Sequence, residues 1–269
     1  MSYLASHCVE LARLASELDC RACDLMRLLS LLSLASLACW ARQPVTQRTE
    51  LLSRLRGALL LSGAVSTVAV ALSATRESRE YEELHRRLFA EYIYEDSNVL
   101  EIGYGRGANL ALYPAVRFAL QGLDPSEPRD LSPVPATARL DFRGLVRGTA
   151  ETLPFPDGSF DAVVGTLVLC TVADPVRSLR EVSRVLRPGG RFLFFEHVLG
   201  APGTLLRLQH QLLSPVQEVV ADGCHLNRAT DEMLRDAVPG LFGHLAELSY
   251  LQLDSQWPIS RQVCGALIK

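Results

Sequence analysis

Lysine is almost absent: among 27 lysine and arginine side chains, Lys269 is the only lysine. The imbalance reads as a coding bias and carries no function. A basic excess is also missing, because 30 acidic residues leave a net charge of -3, and the electrostatic footprint of a nucleic-acid binder is thereby excluded. The seven cysteines, Cys8, Cys20, Cys23, Cys39, Cys170, Cys224 and Cys264, are odd in number. The last three fall in core-like or site-like segments, which argues for a reducing compartment and against a disulfide framework. Cys20-Arg-Ala-Cys23 has redox or metal spacing but no second pair or suitably spaced histidine, so two incidental thiols on a helix are expected and no metal. A secretory signal is not read either, since basic residues and an apolar core do not open the chain.

Apolar material is abundant: hydrophobic residues are 48% of 269 positions, enough for a large core. Residues 1–80 differ in character from the rest. Leu28 to Ala41 is apolar but shorter than a bilayer span, whereas Gly57 to Thr75 is uncharged over nearly that length, with Arg54 and Arg56 before it and Arg76 and Arg79 after it. A membrane anchor within residues 25–75, with arginines at the headgroups, competes with a pair of helices packed on the rest of the chain. Two such runs near one terminus favour the anchor, and a separate domain is drawn over residues 81–269.

The organising stretch is Val99 to Gly107, VLEIGYGRG. An apolar strand ends in Glu101 and Ile102 and passes into glycines at 103, 105 and 107 around Tyr104, the pattern of a tight turn feeding a helix from about Ala108. Gly103 and Gly105 remove Cβ atoms that would hold a ligand off the backbone, and Gly107 permits the turn. A second apolar run, Phe118 to Leu123, ends in Asp124 and Pro125, and a strand-end carboxylate there can accept from both hydroxyls of a ribose. The turn also fits the dinucleotide fingerprint, so the motif alone leaves the nucleoside open.

Glu80 to Glu95 reads as an amphipathic helix with Tyr81, Leu84, Leu88, Tyr92 and Ile93 on one stripe and His85 on the solvated side. Leu145 and Val146 form a short strand leading to Ala150 and Glu151. Phe160 to Leu169 is a central strand, Asp174-Pro175 caps a helix that stops at Arg187-Pro-Gly-Gly190, and Arg191 to Val198 is the next strand. Strand, helix and strand in succession define a doubly wound α/β sheet. Thr204 to Val220 reads as a helix over its carboxyl edge, Asp222 to Arg228 as a loop, and Leu245 to Leu253 with Gln262 to Ile268 as a closing hairpin.

LEIGYGRG, Asp124, GTAETLPFPDGSFDAVV and EVSRVLRPGGRF together resemble the class I S-adenosylmethionine-dependent methyltransferases. TLVLCTV, FEHV, DGCHLNR and the closing GALIK resemble more closely the methyltransferase-like seven group, membrane-associated alkyl thiol S-methyltransferases; that likeness spans about Val99 to Lys269. The family's usual cysteine in the glycine turn is Tyr104 here. The resemblance implies a Rossmann-like, mostly parallel seven-stranded sheet, S-adenosyl-L-methionine as cofactor, methyl transfer to a small thiol, and attachment at the endoplasmic reticulum or lipid droplets with the catalytic domain facing the cytosol. It further implies that Glu101, Gly103, Tyr104, Gly105 and Gly107 face the methionine part of the cofactor, Asp124 and Pro125 the ribose, Ala150 and Glu151 the adenine, and Thr166 and Leu167 the methyl group. His197, Asp222 and, less directly, His225 are the groups available to take a proton or position the acceptor, while Cys170 and Cys224 read as packed thiols. A lipid-like acceptor such as a quinone precursor or sterol, and a non-catalytic adaptor that keeps the fold, are the alternatives.

Overall fold

The computed structural model of the chain describes residues 75–126 and 139–269. Residues 28–41 and 57–74, the four cysteines before residue 40 and the proline-rich stretch 127–135 lie outside them. Among the described residues no helix is long and apolar enough to cross a membrane. All of them belong to one of the two units into which the chain divides, Ala69–Lys269.

A first helix, α1, occupies residues 75–92. It is already formed six residues before the expected domain start at 81, and Glu77 accepts from the backbone and hydroxyl of Ser255 at 2.9 and 2.6 Å. Residues 75–80 fall within the compact unit Ala69–Lys269. Leu88 and Phe89 carry its buried face, and Ile93 just beyond its end is buried with them. His85, expected in solvent, is completely buried instead: its ring stacks on Phe195 with centroids 3.4 Å apart.

The sheet has seven strands: β1 (Ser97–Ile102), β2 (Phe118–Asp124), β3 (Leu140–Arg147), β4 (Phe160–Thr166), β5 (Leu186–His197), β6 (His244–Gln252) and β7 (Arg261–Ile268), in the spatial order β3-β2-β1-β4-β5-β7-β6. Neighbours from β3 to β5 pair parallel, and only β7 runs antiparallel, between β5 and β6. Helices α2 (Pro175–Val185), α3 (Leu205–Val220) and α4 (Thr230–Asp236) complete the unit.

Side chains alternate across the sheet, so each strand feeds two separate buried clusters. Leu100, Ile102, Val163, Phe192 and Phe194 pack with Leu179 and Val182 of α2 on one face. Val99, Val164, Leu193 and Phe195 pack with Leu88 and Phe89 of α1 on the other. Burial on both faces is what makes these strands read as continuous apolar runs.

Three boundaries differ from the sequence reading. The helix placed at Ala108 is only a 3-10 turn, Ala108–Ala111, entered from Gly107 at φ 81°. The apolar run through Leu169 leaves the sheet at Thr166, because Leu167 takes φ 55° and turns the chain. β5 begins at Leu186 rather than Arg191, since Gly189 N–H donates to the Lys269 carbonyl and Lys269 N–H to the Gly190 carbonyl, each at 2.9 Å. Helix α3 has the expected span, but its buried residues are His210 and Ser214, while Leu205, Leu208, Leu212, Val216, Val219 and Val220 are exposed.

Candidate functional site

Strand order reverses direction of growth between β1 and β4, and in open parallel sheets the crevice at such a switch point, outside the carboxyl ends of the strands, is where ligands bind. The glycine turn occupies that place. Gly105 N–H donates to Asp124 Oδ2 at 2.8 Å and Tyr104 N–H to the Leu123 carbonyl at 3.1 Å, so the turn after β1 is tied to the end of β2. Asp124 Oδ1 accepts from the Ser126 N–H at 3.0 Å and hydroxyl at 2.8 Å. Gly148 N–H, donating to the Asp124 carbonyl at 3.0 Å, brings the segment of Ala150 and Glu151 to the same rim.

The three glycines are needed for different reasons. A Cβ on Gly105 would meet nothing nearer than the Gly103 carbonyl at 3.9 Å, so this position leaves the backbone open toward the crevice. A Cβ on Gly103 would instead overlap Val168 Cγ2, and one on Gly107 would lie 2.9 Å from Leu110 Cδ1 and from the Tyr104 hydroxyl. Gly103 thus has a packing requirement that Gly105 does not share. All three have positive φ, at 64°, 54° and 81°.

Glu101 and Thr166 are linked by a residue the sequence reading missed. Asn109, buried in the 3-10 turn, donates through Nδ2 to Glu101 Oε1 at 2.8 Å and to Thr166 Oγ1 at 3.1 Å, and the Tyr113 hydroxyl donates to Glu101 Oε2 at 2.7 Å. Burial pushes the Glu101 carboxyl up to about 7, against those two hydrogen bonds, which favour the anion. The only available signal was a polar residue inside the run Ala108 to Leu112. Glu151 Oε1 accepts from the N–H groups of Ala173 and Asp174 at 2.7 and 3.4 Å, fixing the loop before α2.

Beyond β4 the chain is braced from β5. Leu167 N–H donates to the Phe195 carbonyl at 2.8 Å, holding Leu167 in its left-handed conformation, and Glu196 Oε1 accepts from Val168 and Leu169 N–H at 2.9 and 3.0 Å. Glu196 is fully buried, and desolvation raises its carboxyl to about 7.

His197 lies at the end of β5 with Nε2 3.1 Å from Cys224 Sγ. Cys170 joins them: its thiol lies 3.3 Å from the Leu167 carbonyl, and a hydrogen bond with Cys224 holds Cys170 high and draws Cys224 below the usual thiol range. Asp222 stands apart on the exposed loop at φ 48°, and no hydrogen bond joins it to His197 among the described residues. His225 is engaged with the Gly223 carbonyl at 2.6 Å and lies 3.8 Å from Glu218.

A family model described as a methyltransferase domain matches residues 100–194. Thiol S-methyltransferase TMT1A of Homo sapiens is 37% identical over 177 residues, 64% of this chain and 70% of that protein. Thiol S-methyltransferase TMT1B of Rattus norvegicus is 32% identical over 215 residues, 74% of this chain and 84% of that protein. Among solved structures, the 1,6-didemethyltoxoflavin N1-methyltransferase of Burkholderia thailandensis, holding 1,6-didemethyltoxoflavin and S-adenosylhomocysteine, superposes with a TM-score of 0.51 at 18% identity. The match covers 80% of this chain and 89% of that one.

Proposed function

The chain belongs to the class I S-adenosylmethionine-dependent methyltransferases, close to the thiol S-methyltransferases, and from that membership we propose that it methylates the sulfur of a small alkyl thiol. The observation that carries the reading is the joined glycine turn and Asp124 at the switch point, in a chain whose curated relatives are named for thiol methylation.

The residues present fit the cofactor. The open Cβ direction at Gly105 leaves room against the backbone, and the buried Asp124 carboxylate stands beside it. Of roughly four lone-pair directions on a carboxylate, three are occupied by Gly105 and Ser126, so gripping both ribose hydroxyls requires the Ser126 hydroxyl to turn away. Gly103, Tyr104, Gly107 and Glu101 would border the methionine part, Pro125 the ribose, Ala150 and Glu151 the base, and Thr166 and Leu167 the methyl group. When bound, S-adenosylmethionine supplies a methyl group made electrophilic by its sulfonium. The task left to the protein is to align a nucleophile behind that methyl and exclude water, and such orientation can contribute on the order of 7 to 11 kcal/mol.

A thiol with a pKa of about 8.5 to 9 is already a few per cent ionised at neutral pH, so transfer does not demand a strong base. His197 and Asp222 are the groups we propose on the acceptor side. His197 Nε2 is taken up by Cys224, so acting as a base it would first have to release that contact.

Residues 25–75 we assign to membrane attachment, at the endoplasmic reticulum or lipid droplets with the domain on the cytosolic side, supported by the uncharged run Gly57 to Thr75. Alkaline carbonate extraction of cell membranes tests this; release of the full chain into the supernatant would refute a spanning anchor. For the reaction, the full chain is assayed with labelled cofactor against alkyl thiols, hydrogen sulfide, quinols and sterols. Thiols are the expected acceptors, and turnover of quinols or sterols alone would overturn the reading.

A further inference from the structure

Cys170 follows the end of β4, His197 closes β5, and Cys224 lies in the loop after α3, so three distant segments deliver two thiols and an imidazole to one point. One donor atom from each lies within 4.8 Å of the others, and all three residues are buried. Around a tetrahedral zinc ion, with metal–sulfur bonds of about 2.3 Å and metal–nitrogen bonds of about 2.0–2.1 Å, donors sit roughly 3.5–3.8 Å apart. Closing the farthest pair by about 1 Å at most, and opening His197 Nε2 and Cys224 Sγ from 3.1 Å by about half an ångström, would complete the set.

We propose that this trio is a Cys2His site for zinc(II), and that its open fourth position takes the acceptor as a thiolate beside the cofactor crevice. The inference rests on the thiol reading above. Three protein ligands with one position to spare is the pattern of a catalytic rather than a structural zinc site, and coordination deprotonates a thiol outright. His197 Nε2 already faces Cys224, so as a ligand it needs no new orientation.

Charge supports the assignment. Two cysteine thiolates and a neutral imidazole cancel the two charges of the ion, and the incoming thiolate leaves the site with one negative charge. Arg228 stands ready to balance it: its guanidinium donates to the Leu169 carbonyl at 2.7 Å, next to Cys170, and interacts with both sulfurs. The surroundings suit an alkyl chain, because Leu167, Leu213, Ala221, Leu226 and Ile259 pack around the two cysteines. Leu167 is also the residue proposed to border the methyl group, and its carbonyl lies 3.3 Å from Cys170 Sγ.

As the acceptor sulfur ligates the ion, its S–H proton passes to water. The thiolate then attacks the methyl carbon in line; the new sulfur–carbon bond forms as the carbon–sulfonium bond breaks, and that electron pair stays on the cofactor sulfur. The thioether, an uncharged and weaker ligand, leaves. The products are thioether, S-adenosylhomocysteine and one proton.

The test titrates the metal-free full-length chain with cobalt(II), a spectroscopic stand-in for zinc, and then adds an alkyl thiol. One equivalent is expected to bind with a thiolate-to-cobalt charge-transfer band that shifts when the thiol is added. Cys170→Ser and Cys224→Ser should each abolish the band, and Cys20→Ser/Cys23→Ser should leave it. The zinc-loaded chain should methylate thiols at least tenfold faster than the metal-free chain, with S-adenosylhomocysteine binding equal in both. The parent spectrum needs no variant, so a substitution that fails to fold does not spoil the test. Absence of the band, its loss only in Cys20→Ser/Cys23→Ser, or an unchanged spectrum on adding thiol overturns the proposal. Equal rates with and without metal overturn it while leaving thiol methylation standing. A loaded chain that methylates quinols or sterols and no thiol removes both.

Discussion

His85 offers a test of the interior that the pH meter can read. The ring lies between Tyr81, Phe89 and Phe195, its Nδ1 is 2.9 Å from the Tyr81 carbonyl, and Nε2 is buried without a hydrogen-bond partner. A neutral ring protonated on Nδ1 satisfies the carbonyl; a charged ring would add an N–H at Nε2 with no acceptor. Desolvation accordingly lowers its pKa from 6.5 to about 4, outweighing the hydrogen bond to Tyr81, which favours the cation. Below pH 6.5 the unfolded chain takes up a proton that the folded chain refuses until about pH 4. Stability therefore falls across that window as the pH is lowered, and is untouched by this residue above it. At 1.36 kcal/mol per unit, the drop from 6.5 to about 4 corresponds to about 3 kcal/mol. Urea denaturation followed by far-ultraviolet circular dichroism at intervals from pH 7.5 to 4 gives the stability of the parent and of His85→Leu. Carboxylates titrate in both, so their contribution cancels in the difference. The parent should lose about 3 kcal/mol more than the variant over the window; parallel curves would show that the ring titrates normally and that its burial has been misjudged.

Asp124→Ala should weaken S-adenosylhomocysteine binding by on the order of 100-fold in calorimetry, two hydrogen bonds to a charged acceptor being worth roughly 1.5 kcal/mol or more each; binding as tight as the parent's would put the ribose elsewhere. The glycines should separate by readout. Gly103→Ala drives a methyl into Val168 at φ 64°, whereas Gly105→Ala adds comparable left-handed strain at φ 54° without a clash; the first should lower the melting temperature further, and the second should weaken cofactor binding beyond what its own loss of stability explains. Glu196→Ala strands two buried N–H groups, those of Val168 and Leu169, at about 1–3 kcal/mol each. Chemical denaturation should show that loss and its partial recovery in Glu196→Gln, which retains one acceptor oxygen.

Local chemistry was legible in the sequence where one segment supplies both partners. Asp174 caps α2 by accepting from Arg177 N–H at 2.9 Å, and Pro175 takes the first turn, as the dipeptide requires. The pairing of β6 with β7 follows from two short strand-like runs separated by a brief polar and proline-containing connection, and the glycine turn and Asp124 meet because parallel strands end on the same rim. What escaped depends on partners far along the chain. His85 occupies a helical position flanked by charges, and Phe195, 110 positions later, completes with Tyr81 and Phe89 the aromatic surroundings that bury it. Asn109 gains its role from Glu101 and Thr166, which no spacing rule connects. The place of Cys170, His197 and Cys224 was likewise hidden, because Cys170 follows β4, His197 closes β5, and Cys224 lies in the loop after α3, which His225 N–H joins to the Cys170 carbonyl at 2.9 Å.

The position of β7 between β5 and β6 has a consequence for assembly. A chain cut before residue 261 would leave β5 with one edge unpaired and β6 with no strand to join. Strands β1 to β5 can pair without β7, but β6 reaches the sheet only once β7 lies between it and β5. Truncation ahead of residue 261 should therefore yield an aggregation-prone species.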